Sequence, residues 1–400
     1  MFRAERSKIE NADEVCDRMN INDAQHKAQT AITLRHHIFI AMWVILIFLL
    51  FIVSTSNIIS DIHQHKSHGQ QGWREGEGIY SPFGNSSEKM PSNSNEKNPS
   101  SIGVLTGMYV GRISDFSMKD SSWTVDFCIW FKWNDSNAYG STVDPGNNMG
   151  VSNGQILWKQ KQYELVNGSN HYVQYEVLAK ITKLFDTSLF PFDSHLLLIQ
   201  IEDTVDFTDE LQYIPENYNS NITSDLFIPG YRIIGFNTSV NNNTYETNWG
   251  DPQEAGKNET FYSQYNFGIW ISRPGWGFYF KIFEGLFIAV AVSIITLFIR
   301  PIHTGPRFVL GVGALFAAVA NYYNIYSMQP GIEIMTLADL INFLGTITIF
   351  LTIVQSTISL YLYDSRGQKA LSQMFDRVSV IIFIIFYISI NLSIIITAIY

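Results

Sequence analysis

The last third of the chain holds four closely spaced apolar segments, near residues 278–299, 308–326, 337–363 and 378–400, which constrain the fold more than any other feature. Each is long enough for a helix to cross about 30 Å of hydrocarbon. The second is the least lipid-like. Gly311, Gly313, Ala314, Ala317, Ala318 and Ala320 expose little apolar surface, and Asn321 and Asn324 interrupt its outer half. Small residues let helix backbones approach closely, and polar side chains inside a membrane face protein or water. This segment is therefore expected to be the innermost helix of a bundle, either lining a pore or packing between its neighbours.

Residues 103–274 read differently. In WTVDFCIWFKW, Trp123, Val125, Phe127, Ile129, Phe131 and Trp133 alternate with Thr124, Asp126, Cys128, Trp130 and Lys132, the period of a strand with one buried face. Similar runs at 172–184, 196–202, 231–236 and 261–271 are separated by Asn, Gly, Asp and Pro clusters. Short strands at this spacing imply a β-sandwich. The expected fold is an α+β membrane protein, with an extracytoplasmic β-sandwich (103–274) followed by a four-helix transmembrane bundle (275–400).

Ahead of these lie a mixed-charge tail (1–36), an apolar run (37–60) and a linker rich in Ser, Asn, Gly, Lys and Glu (61–102). The run is long for a signal peptide and its leading segment is not basic, so an extra N-terminal transmembrane anchor is expected, with cleavage near Ser54, Thr55 and Ser56 as the alternative. His63, His65 and His68 lie in the linker without a scaffold that would make them a metal site. Cys16 and Cys128 flank this run, so if it crosses the bilayer they fall in different compartments and cannot form an intrachain disulfide.

Basic residues orient the spans. Arg300 and Arg307 follow the first, Glu333 alone follows the second, and Arg366, Lys369 and Arg377 follow the third. The first and third connectors are then cytoplasmic, placing the sandwich and the C-terminus outside an inner (plasma) membrane and the N-terminus inside. A net charge of −10 gives no footprint for nucleic acid. No nucleophile elbow, phosphate loop, dinucleotide fingerprint or HEXXH motif points to an enzyme.

Three motifs stand in order. Trp133, Asn134 and Asp135 end the first clear strand, Phe190, Pro191, Phe192 and Asp193 follow a later one, and Arg273 and Pro274 precede the first span. With Arg307 opening the second span and Pro330 beyond its outer end, residues 103–400 resemble the pentameric ligand-gated ion channels of the Cys-loop receptor superfamily, and the short third connector and missing disulfide are similar to prokaryotic members. The resemblance implies a homopentamer, each chain with four identical partners in a lipid bilayer, gated by an unidentified small-molecule or ion ligand. Coupling would run through Phe190, Pro191, Phe192, Asp193, Lys119, Asp120, Arg273 and the connector at 328–336 with Pro330. The family's Trp-X-Pro segment is absent, and Glu284 and Gly285 stand where its first span carries a proline.

With Arg307 at the inner end, spacings of three and four residues put Val309, Gly313, Phe316, Ala320, Tyr323 and Ser327 toward a pore axis. Five Phe316 rings would make an apolar constriction that excludes water and ions. Gly305 and Pro306 before Arg307 look more like the anion-selective pattern, which argues against a cation filter and leaves the ion open.

Trp130, Tyr175, Phe207 and Trp249 lie on segments that resemble the family's binding loops, where aromatic faces would cage an organic cation; packing is their other role. Glu202, Asp203, Asp206, Asp209 and Glu210 form either a calcium or other divalent-cation site or a solvated acidic loop. No cofactor is required. A non-conducting receptor or scaffold of the same fold is the alternative function.

Overall fold

The computed structural model describes residues 101–135, 144–250, 252, 258–329 and 335–399. The N-terminal tail, the anchor run, nearly all of the linker and Pro330 lie outside the described residues.

The β region contains β1 (Ile102–Ser117), β2 (Ser122–Asn134), β3 (Met149–Val151), β4 (Gly154–Asn167), β5 (Asn170–Thr182), β6 (Ser194–Asp203), β7 (Leu211–Pro215), β8 (Asn221–Ile222), β9 (Arg232–Tyr245) and β10 (Thr260–Ser272). One sheet runs β4-β5-β2-β1-β7, with β8 also beside β1, and the other runs β3-β6-β10-β9. β7 and β8 lie parallel to β1, and the other pairings are antiparallel. The alternation read in β2 sets its burial. Trp123, Val125, Phe127, Ile129 and Phe131 are all fully buried, in one hydrophobic cluster with Leu197, Ile199 and Ile201 of β6 and Phe267 and Ile269 of β10. Removing such side chains from water favours folding by roughly 1.5–3 kcal/mol each.

Two strands carry little of the signal that marked β2. β4 is an edge strand whose Leu157, Trp158, Tyr163, Leu165 and Val166 are exposed alongside its polar residues, so no period emerges. A tight turn locks it to β5, with Gly168 in the left-handed region at φ 61°. β9 continues well past Phe236 through an asparagine-rich stretch that local propensity disfavours. Its amides are held across the sheet, as in the bond from Asn266 to Asn241 Oδ1.

Four helices follow, each long and apolar enough to cross a membrane: α1 (Gly275–Ile295, extended by a 3₁₀ turn, Thr296–Phe298), α2 (Thr304–Tyr326), α3 (Leu337–Asp364) and α4 (Lys369–Ile399). The described residues divide into two compact units. One holds the chain up to Leu286 with Val319–Phe343, and the other holds Phe287–Ala318 with Leu344–Thr397.

Candidate functional site

The Phe190–Asp193 turn leads into β6 and is closed by bonds from Phe190 N to Thr187 O (2.9 Å) and from Phe192 N to Leu189 O (2.8 Å). At the end of β10, Arg273 Nε donates to Asp193 Oδ1 at 2.6 Å, while His195 Nε2 lies 2.6 Å from the other carboxylate oxygen. Three rings enclose the guanidinium, Phe190 and Tyr231 at 4.6 Å and Phe278 at 4.9 Å from their centroids. A guanidinium is weakly hydrated and tolerates such a cage, where the ring faces attract its charge. Burial pushes Asp193 up, but the Arg273 charge and the His195 hydrogen bond outweigh it and hold the carboxyl below the usual range. Burial and the neighbouring Asp193 charge push the Tyr231 phenol far above its ordinary value.

The same turn touches two helices. Phe192 packs on Trp276 and Tyr279 of α1, with centroids 5.9 and 5.5 Å apart, and Ser188 O accepts from Leu337 N of α3 at 2.9 Å. Gln329 Nε2 donates to Thr336 Oγ1 at 2.9 Å between the two described ends of the connector. Lys119 and Asp120, which the resemblance places on the same coupling route, form no bond with Asp193 among the described residues. The Asp120 carboxylate accepts from Ser117 Oγ within its own turn at 2.7 Å, and His195 takes the third place. Its only sequence signal was its position two residues after Asp193.

A cleft of about 510 Å³ opens between β3, the end of β6 and the β9–β10 hairpin. Phe207, Tyr245, Trp249 and Tyr262 supply its aromatic wall, with Tyr262 5.1 Å from Phe207 and 5.7 Å from Tyr245, and Trp249 5.2 Å from Tyr245 between centroids. Trp249 is 61% exposed and sits in the left-handed region at φ 56°, a conformation that costs a non-glycine residue about 1 kcal/mol or more. Bonds from Trp249 N to Thr247 Oγ1 and from Gly250 N to Asn248 Oδ1, each 3.1 Å, hold that turn.

Glu202 and Asp203 also line the cleft. Glu202 accepts from Asn243 Nδ2 and Tyr245 OH at 2.7 Å each and from Gln264 Nε2 at 2.5 Å. Burial and this contact push the Tyr245 phenol up to about 12. Burial raises Asp203 to about 6, because the backbone amides on its Oδ1 do not offset lost hydration and the nearby Asp206 and Asp144 charges. Glu210 Oε2 accepts from Phe207 N, and Asp209 is exposed. Among the described residues no three His, Cys, Asp or Glu side chains are placed to hold a metal ion.

Two of the four aromatic candidates lie outside this cleft. Trp130 lies over Gly107, where a β-carbon would collide with the indole, and donates to Glu216 Oε2 at 2.5 Å. Tyr175 packs against Gly146, with Lys159 and Lys161 over its ring at 5.5 and 5.8 Å. Tyr245 and Tyr262 take their places. The readable signal was the two-residue spacing of Asn241, Asn243 and Tyr245, which puts all three on one face of β9.

Val309, Gly313, Phe316, Ala320 and Tyr323 lie on the exposed side of α2, with Ser327 exposed just past its end, and Arg307, Gly311, Ala314, Ala318 and Ile325 lie on the buried side. Arg307 is 1% exposed; its NH1 and NH2 donate to Asp376 of α4 at 3.1 and 2.8 Å and its Nε to Ser356 of α3 at 3.0 Å. Its charge is neutralised within the helices and is not presented on the exposed face of α2. Asn321 turns aside to bond Asn342 of α3 at 3.2 Å.

Neither a family model nor a curated protein matches this sequence.

Proposed function

We propose that this chain is the subunit of a homopentameric ligand-gated ion channel, in which the two sheets form an extracytoplasmic sandwich and α2 lines the pore. The observation that carries this is the junction at Asp193. A single turn holds Arg273 at the point where β10 becomes α1, packs on α1 through Phe192, and bonds the first residue of α3. A displacement of β6 or β10 therefore acts on two helices at once, which is what coupling a binding domain to a pore requires. The ligand is a small organic cation. Four aromatic rings and two carboxylates around about 510 Å³ suit one, by ring-face attraction and by charge. The protein is a binding and conducting molecule of the inner membrane, not a catalyst, and requires no cofactor.

A non-conducting receptor is favoured by one feature, the bulk of the exposed α2 face, where Val309, Phe316 and Tyr323 are each at least 71% exposed. Mass measurement in mild detergent is expected to return five protomers, and liposomes bearing the protein to show ligand-dependent ion flux. Phe316→Ser should raise flux without ligand, because dewetting depends on radius and polarity. A stable monomer or dimer overturns the channel. A pentamer without flux in either parent or Phe316→Ser establishes the receptor instead.

A further inference from the structure

Beneath the cleft lies a charge that nothing among the described residues neutralises. Asp203 Oδ1 accepts from the amides of Val205 and Asp206 at 2.8 and 2.9 Å, but its Oδ2 is buried without a partner. Asp206 Oδ2 is also buried and unpartnered, and so is the hydroxyl of Tyr213, which approaches from β7 and feels Asp203, Asp206 and Glu202. The other charges around the pair are nearly all negative: Glu202 on β6, Asp144 before β3, and Glu210 beside Asp206. Lys159 of β4 is the cation that acts on Asp203, yet its ammonium bonds the carbonyls of Gly146 and Asn147 at 3.1 and 2.8 Å. Among the described residues neither aspartate forms an ion pair.

A buried carboxylate beside a half-buried one, without a cation, does not stay ionised together with it at low cost; one proton relieves the repulsion and the lost hydration together. We propose that Asp203 and Asp206 form a proton-binding pair under the cleft, and that protonation of the pair weakens the cleft's hold on a cationic ligand. The step is carboxylate plus a solvent proton giving carboxylic acid, and it removes one negative charge from the floor of the site. The upward displacement of both groups by burial has the direction this requires. The ligand half of the proposal rests on the organic-cation reading above.

The test uses the full chain in detergent, with tetramethylammonium as a probe that does not itself titrate. Calorimetric Kd should rise toward about tenfold per pH unit below the pair's transition, and Asp203→Asn should abolish that dependence. Without probe, tryptophan emission should show a transition near pH 6 that disappears in Asp203→Asn and moves to lower pH in Asp206→Asn. His171 stacks on Trp133 and contacts Asp135, so His171→Gln serves as the control for a histidine titration. A transition that survives Asp203→Asn, or follows His171→Gln, overturns the proton pair. Absence of probe binding at every pH, with the transition intact and dependent on Asp203, overturns the organic-cation reading and leaves the pair standing.

Discussion

Asp193 stands just before β6 and Asp203 ends it, and the two are almost equally removed from water, at 3% and 2% exposure. Their chemistry nevertheless runs in opposite directions. Asp193 meets Arg273 and His195 and is held below the ordinary carboxylate range, whereas Asp203 meets two backbone amides, other carboxylates and, among the described residues, no ion-pair partner, and rises to about 6. Burial alone therefore does not decide the fate of a carboxylate; the sign follows from the charge placed beside it. The compensated end fastens the sheet to the helices. The uncompensated end borders the cleft, where a proton or a cation has something to bind.

The largest expected effect lies at the compensated end. Arg273→Ala would leave Asp193 ionised, buried and facing a cage built for a cation, at a cost of about 3–5 kcal/mol, and assembly should fail or melting fall steeply. Asp193→Ala should do similar harm, and the double variant less than the sum of the two. A double-mutant cycle on folded protein checks this. Strict additivity would mean that the pair does not interact, and the contrast between the two ends of β6 would collapse.

The opposite sign is expected at the other end. Asp203→Asn keeps the Oδ1 acceptor for the amides of Val205 and Asp206 but removes the unpaired charge, so the protein should gain about 3 kcal/mol at neutral pH, on the scale of about 1.4 kcal/mol per unit of displacement. Because the folded pKa is raised, the parent's stability from this group is full below the ordinary value of 3.8 and lost as pH rises through about 6. Asp193 contributes the reverse, stability present above 3.8 and lost as pH falls through its lowered value. Denaturant melts across this range should therefore show a falling limb that Asp203→Asn flattens and an acid limb that Asp193→Asn flattens. Destabilisation by Asp203→Asn at neutral pH would contradict the assignment.

The two ends were not equally legible in the sequence. The Phe-Pro-Phe-Asp run and the Arg-Pro ahead of the first span are local strings, so Asp193 and Arg273 could both be singled out in the sequence, and only the resemblance put them on one route. The cleft depends on register. Tyr245 reaches Glu202 because β9 extends through an asparagine run that propensity marks as loop, and the bonds from Asn266 to Asn241 and from Asn243 to Glu202 hold that extension between side chains far apart in the chain. Trp130 and Tyr175 looked equally suited by residue type, but they stand on β2 and β5 of the other sheet, where they meet Glu216 and Gly146. The four spans were readable from apolarity, whereas the inward turn of Arg307 was not, since its partner Asp376 lies on α4.

Glu202 gives the smallest and most discriminating case, because it adjoins Asp203 and is 7% exposed, yet it has neither a cation like Asp193 nor an orphaned oxygen like Asp203. Three neutral donors, Asn243, Tyr245 and Gln264, stand in for the missing charge. Neutral hydrogen bonds contribute less than an ion pair in a dry site, and they share the load, so losing one leaves two. Tyr245→Phe keeps the ring in the aromatic wall and removes only the hydroxyl at 2.7 Å, and it should cost about 0.5–1.5 kcal/mol in denaturant melts with little change in cleft shape. If it costs as much as Arg273→Ala, neutral donors neutralise a buried carboxylate as well as a guanidinium does, and the missing cation ceases to explain why Asp203 rises. If it costs nothing, Gln264 and Asn243 suffice for Glu202, and the unpaired charge under the cleft belongs to Asp203 and Asp206 alone.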